Sequence, residues 1–220
     1  MRIAGVCTIC QQKRTMNFIY RFEAGAKNSP TLLLLHGTGG NETDLIEFGR
    51  AIAPRGNLLS PRGNVLENGM PRFFRRFSHG VFDLEDLKFR TKELLEFIEA
   101  SAKKYGFDRE NVIAMGYSNG ANIAATLLLL HERSLAGAIL FRPMMTLAPE
   151  KMPDLSRCKV LVCAGDRDSM IDPAKTSELI SFLRTAHADV SVHYHPGGHE
   201  LGRDDFETAQ RWLSGYYPGI

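Results

Sequence analysis

Gly116-Tyr117-Ser118-Asn119-Gly120 constrains this chain more than any other stretch. It follows the apolar run Val112-Ile113-Ala114-Met115 and opens into Ala121-Asn122-Ile123-Ala124-Ala125, so a glycine-framed serine stands where a strand must reverse into a helix. So sharp a turn pushes the Ser118 hydroxyl clear of the backbone, and the glycines two before and two after leave room where a Cβ would collide. The turn also sets the Asn119 amide at a helix N-terminus, where unpaired N–H groups attract negative charge. Ser118 is therefore a candidate nucleophile. Because 20 glycines in 220 residues can produce such a pattern by chance, it is the strand-before, helix-after setting that carries weight. The bland alternative is a tight connection with a solvent-facing serine.

The rest of the chain repeats that alternation. Strands are expected at Asn17 to Phe22, Thr31 to Leu35, Asn57 to Ser60, Asn111 to Met115, Ala136 to Phe141, Lys159 to Ala164 and Val190 to Tyr194. Leu32 to Leu35 and Val160 to Val162 show no polar alternation, which marks strands buried on both faces. A long helix is expected behind the capping Asp83, with Leu87, Thr91, Leu94, Leu95, Ile98 and Ala102 on one face and Gly106 as its stop. Further helices are expected after Asn41, at Asn119, at Pro173 behind Asp172, and around Asp204. The expected fold class is thus α/β, a mostly parallel central sheet with helices on both faces. Without a long insertion between Phe141 and Lys159 or near His199, no large lid is expected.

A hydrophobic share of 44% in 220 residues suffices for one core, and a length-to-domain ratio of ~150 does not force two. Residues 16–220 are read as one domain, and residues 1–15 as a loosely attached leader or an over-extended start. With 27 Lys and Arg against 25 Asp and Glu, the formal charge of +2 argues for neither a nucleic-acid nor a membrane partner. A small-molecule partner is expected; a homodimer is compatible with the sequence. No run approaches the ~18 apolar residues of a membrane span, and none resembles a signal-peptide core. Cys158 and Cys163 lie in or beside an apolar strand and read as small hydrophobes, which together suggests a cytoplasmic protein. Cys7-x-x-Cys10 has no second pair at metal spacing.

A serine hydroxyl attacks only when a base takes its proton and a carboxylate orients that base. Among seven histidines, His199 is favoured because it follows the Gly197-Gly198 pair beyond the last strand, whereas His193 and His195 lie in or at the end of it. Three acids follow the preceding strand. Asp172 before Pro173 looks like a helix cap, Asp166 stands so close to the strand that it reads as serving the turn, and Asp168 lies further out, within reach of an imidazole. An oxyanion hole needs two N–H donors, and His36-Gly37-Thr38-Gly39-Gly40, straight after a buried strand, offers the Thr38 amide beside that of Asn119. The segment Pro61 to Phe82 is long for a plain connection and reads as an irregular loop. Its Arg62, Arg72, Arg75 and Arg76 with Phe73, Phe74 and Phe77 could form an aromatic and basic substrate wall, or arginines covering surface phenylalanines.

With these segments in order, the chain from Met16 onward resembles the α/β-hydrolase superfamily, and within it the phospholipase/carboxylesterase family that includes acyl-protein thioesterases and small bacterial carboxylesterases. Leu35 to Gly40 resembles that family's oxyanion loop, Gly116 to Gly120 its elbow, Gly165 to Pro173 its acid loop, and Gly197 to Glu200 its histidine loop. The order serine, acid, histidine is that of the superfamily. The resemblance implies Asp168 as the acid, four residues before Asp172-Pro173, where Asp172 replaces the family's usual valine. It also sets Asn119 where the thioesterases carry Gln. Gly80-Val81-Phe82-Asp83 and Phe141-Arg142-Pro143-Met144 look most like the bacterial branch associated with quinone and aromatic-compound stress. The implied activity is hydrolysis of a small carboxylic ester, aryl esters included, with Ser118, Asp168 and His199 catalytic, Arg72, Phe73, Phe74 and Arg142 toward the substrate, and no metal or cofactor. Thioester or lysophospholipid hydrolysis is the neighbouring alternative.

Two readings from other classes compete. His193-x-His195-x-x-x-His199 could ligate a metal, since alternate strand residues share a face, although Glu200 is the sole nearby acid. A non-catalytic ligand binder on the same scaffold is the other.

Overall fold

The computed structural model describes residues 18–218 and residue 220, so the expectations for Cys7, Cys10 and the leader at 1–15 lie outside the described residues. In chain order the elements are β1 (Tyr20–Glu23), β2 (Thr31–Leu35), α1 (Ile46–Ile52), β3 (Asn57–Pro61), β4 (Val65–Glu67), β5 (Met70–Arg72), β6 (Arg76–Ser78) and β7 (Val81–Phe82). Then come α2 (Leu84–Tyr105), β8 (Val112–Tyr117), α3 (Asn119–Leu130), β9 (Gly137–Phe141), β10 (Lys159–Gly165), α4 (Pro173–Thr185), β11 (Asp189–His195) and α5 (Arg203–Tyr216). Seven strands form one sheet in the order β1-β3-β2-β8-β9-β10-β11, parallel throughout except for β1 against β3.

Alternation along the buried strands divides the core into two layers. Leu33, Leu35, Ala114, Leu140, Val160 and Val162 pack with α2, α3 and α4, while Leu32, Leu34, Ile113, Met115, Ile139 and Leu161 pack with α1 and α5. Both faces are therefore covered, and the strands need no polar face. Asp83 caps α2 by accepting from the Asp86 amide, and Gly106 ends it at φ 73°, a left-handed conformation that a Cβ would disfavour. Among the described residues no helix is long and apolar enough to cross a membrane.

One expectation needs correction. The segment from Pro61 to Phe82 is not irregular: β4 pairs with β5 and β6 with β7 as two small antiparallel hairpins. Strands of two or three residues are too short to establish a period, which is why the sequence reads as loop. The first helix, expected after Asn41, starts at Ile46 behind a run of turns.

The order of the strands fixes where a ligand can sit. From β2 the chain passes to β3 on one side, then crosses back to β8 on the other, so β2 and β8 flank the point where the winding reverses. Loops leaving the two strands diverge there and open a crevice at their carboxyl ends. The loop carrying Thr38 leaves β2 and the turn carrying Ser118 leaves β8.

Candidate active site

Ser118 sits between β8 and α3 at φ 52° and ψ −110°, a backbone conformation rare for a residue with a Cβ. The surroundings hold it there: its amide donates to Phe141 O at 2.9 Å, and its carbonyl accepts from the Asn122 amide at 2.9 Å. Close packing explains both glycines. A Cβ on Gly120 would run into the carbonyl of Leu35 at the end of β2, and one on Gly116 into the carbonyl of Gly120.

The histidine and acid arrive from the ends of β11 and β10. His199 Nε2 lies 3.0 Å from Ser118 Oγ, and its Nδ1 lies 2.8 Å from Asp168 Oδ2. A carboxylate accepts, so Nδ1 carries the proton and Nε2 presents its lone pair to the serine hydroxyl. Asp168 is 4% exposed at its side chain and its other oxygen accepts from the amides of Met170 at 2.8 Å and Ile171 at 3.1 Å. The three acids of this loop therefore divide their work differently from the sequence reading in one respect. Asp172 does cap α4, accepting from Ala174 N at 2.9 Å, but it is Asp168, not Asp166, whose side chain ties down the local amides.

Strand adjacency brings the two amides together. Neither the Thr38 nor the Asn119 N–H donates to another group among the described residues, and the Asn119 amide opens α3, where the helix dipole adds to its pull on an anion. The segment joining the two hairpins pins both. Arg72 Nη1 donates to Thr38 Oγ1 at 2.7 Å, and Phe73 N donates to Asn119 Oδ1 at 2.7 Å. The Asn119 side chain is thus engaged in placing the hairpin segment. Beside them His36 is buried, with Nε2 accepting from Gly63 N at 3.0 Å and Nδ1 2.6 Å from Gly37 O. Burial holds its pKa below the ordinary histidine value, with the Gly37 carbonyl pulling the other way.

A cleft of about 190 Å³ opens over Ser118 and His199. Thr38, Asn119, Arg72 and Arg76 line it, with His79 on its rim and Phe82, Met144 and Met170 supplying apolar surface. The expected wall is only partly there. Phe73 and Phe74 are core residues, 2% and 0% exposed, because the hairpin segment turns them inward, against His36 and Phe82 respectively. Arg62 and Arg75 pair with Glu42 and Asp83, and Phe77 is exposed. Arg142 does not reach this cleft either. It is fully buried in a two-pronged pair with Asp205 at 2.8 and 2.7 Å, and it donates to the carbonyls of Gly198 at 3.1 Å and Glu200 at 2.8 Å. Arg142 therefore grips the backbone on both sides of His199.

Tyr117 completes that grip and was not singled out from the sequence. Its hydroxyl donates to His199 O at 3.1 Å, and burial raises its pKa above the ordinary tyrosine value. Its place beside the nucleophile, in the variable position of Gly-x-Ser, was the available signal. His193 and His195 turn away from His199 to Asp204, at 2.7 and 3.7 Å, so the three histidines of the metal reading face different partners. Among the described residues no cluster of three or more His, Cys, Asp or Glu has a geometry suited to a metal ion.

Residues 21–216 match the family model described as phospholipase/carboxylesterase. Over 191 residues the chain is 48% identical to the Bacillus subtilis (strain 168) protein MhqD, whose name assigns it to the hydrolases, covering 87% of this chain and 95% of that one. The crystal structure of a Bacillus cereus carboxylesterase superposes with a TM-score of 0.89 at 44% identity, covering 95% of this chain and 99% of the other. A carboxylesterase from Mesorhizobium loti superposes with a TM-score of 0.83 at 31% identity, covering 91% and 96%.

Proposed function

The chain belongs to the phospholipase/carboxylesterase family of α/β-hydrolases, and on that premise we propose that it is a serine carboxylesterase acting on small esters through an acyl-enzyme. One observation carries the reading: an unbroken hydrogen-bonded line runs from Ser118 Oγ through both nitrogens of His199 to Asp168. In the reaction Ser118 Oγ bonds to the ester carbonyl carbon as His199 Nε2 takes its proton, and Asp168 holds the imidazolium that results. The Thr38 and Asn119 amides receive the charge that builds on the carbonyl oxygen. The alcohol departs with the proton from His199, leaving Ser118 acylated. Water then attacks the acyl carbon, giving its proton to His199, and the acid leaves as that proton returns to Ser118.

The modest cleft favours a short acyl chain over a long one. A cytoplasmic setting is part of the same proposal, since the buried Cys158 and Cys163 are both free thiols. The test is turnover of p-nitrophenyl acetate by the chain and by its Ser118→Ala variant. The variant is expected to lose about a million-fold in kcat, the loss typical of removing such a nucleophile. A folded Ser118→Ala protein retaining a tenth of the parent rate would overturn the reading.

A further inference from the structure

The charges around the cleft are unequal. Arg72, Arg76 and His79 line it together with Ser118 and His199, and among the described residues no carboxylate does. The two guanidinium groups share a single acid: Glu67 accepts from Arg76 Nε at 2.9 Å and from Arg72 Nη1 at 3.2 Å, one oxygen to each. Two positive charges therefore face one negative charge. Arg72 is almost fully buried, and its pKa is held down by burial and then by the nearby charge of Arg76. The terminal nitrogens of Arg76 donate to nothing among the described residues, although its side chain is only 24% exposed. A guanidinium fork with both terminal nitrogens unused at the edge of a cleft fits the planar, two-oxygen face of a carboxylate. Met144, Met170 and Phe82 supply apolar surface for a hydrocarbon portion.

We propose that the substrate is a small ester carrying a second, anionic group, a carboxylate, which Arg76 receives while Arg72 supports it from behind. This rests on the serine esterase reading and narrows it from small esters in general to charged ones. The anion belongs either to the acyl part, as in the half-ester of a dicarboxylic acid, or to the leaving group, as in an acylated hydroxy acid.

Two pairs of esters, each an anion against its neutral methyl ester and each followed by release of the phenol, distinguish these sources: 4-carboxyphenyl acetate against its methyl ester, and mono-4-nitrophenyl adipate against its methyl ester. Each kcat/KM is divided by the rate constant for attack of neutral imidazole on the same compound, which removes intrinsic reactivity without a charge repulsion of its own. In at least one pair the anionic member should be favoured about tenfold or more at low ionic strength, and the preference should shrink as sodium chloride screens it. Arg76→Gln should lower that ratio about tenfold. Turnover of the neutral members with no preference for either anionic partner would overturn the proposal and leave the esterase standing. So would an Arg76→Gln variant that slows both members of a pair alike, because the charge would then serve the oxyanion of any ester. No turnover of any of the four would overturn the esterase reading and this one with it. The salt dependence of the unaltered protein decides the matter even if the variant folds poorly.

Discussion

Ser118 is held at φ 52° by bonds on both sides of its backbone, and the cost of that conformation, of order 1–3 kcal/mol, is borne by the packing of Gly116 and Gly120 against their neighbours. Asp168 shows a comparable division of labour, one oxygen on two amides and the other on His199. Replacing it by Asn keeps an acceptor for the amides but offers the wrong group to Nδ1, so Asp168→Asn should lower kcat about ten-thousand-fold. Asp166→Asn should stay within about threefold in the same ester assay, its carboxylate having no bond to the imidazole. The opposite ranking would move the acid to Asp166. His36 makes a separate prediction through pH. Its folded pKa lies below its ordinary value of 6.5, so the unfolded chain binds the proton more readily and stability falls as pH drops below about 6.5 toward the folded value. Urea midpoints measured from pH 7.5 to 5 should decline in the parent and decline less in His36→Asn; equal slopes would contradict this. Arg142 marks the limit of what single residues disclose. Its Phe-Arg-Pro-Met setting resembles the family's bacterial branch and implies a place toward the substrate, and nothing near it in sequence announces Asp205 as the partner.

At the scale of elements, the site is an arrangement of four loops at the carboxyl ends of β2, β8, β10 and β11. Arg142, reaching from the end of β9 and anchored on Asp205 of α5, braces the loop after β11 through Gly198 and Glu200. Arg142→Met should leave Asp205 charged, buried and unpaired, a loss of about 3–5 kcal/mol in chemical denaturation. It should also lower kcat in whatever fraction stays folded. A variant as stable and as active as the parent would show that the pair is dispensable. The strands β2, β8, β9 and β10 could be read from sequence because a strand buried on both faces shows itself as an apolar run, as in Leu32 to Leu35. The hairpins β4–β5 and β6–β7 could not, since each strand spans at most three residues and four of their eleven residues are neither core nor surface. The same illegibility hid the fate of Phe73 and Phe74. A pair of adjacent aromatics points to opposite faces in an extended strand, and here the irregular link between the two hairpins buries both.

Across the whole molecule, two apolar layers fix a twisted parallel sheet, and that sheet puts the four site loops on one edge. Ser118 and His199 are legible in the sequence because loop position in such a sheet follows from chain order, whereas Asp168 stands out from Asp166 and Asp172 as the acid through the family resemblance. Which groups complete the cleft was not, since Tyr117, Met144 and Met170 reach it through packing that no local pattern encodes. The central claim is that Ser118 alone, among the serines of the folded protein, is activated for attack. Reaction with a fluorophosphonate, followed by intact mass and peptide mapping, tests it directly. One adduct per chain on the peptide carrying Ser118, absent from Ser118→Ala and slowed by orders of magnitude in His199→Ala, is the predicted result. Labelling at a different residue, or undiminished labelling of the Ser118→Ala protein, would contradict it.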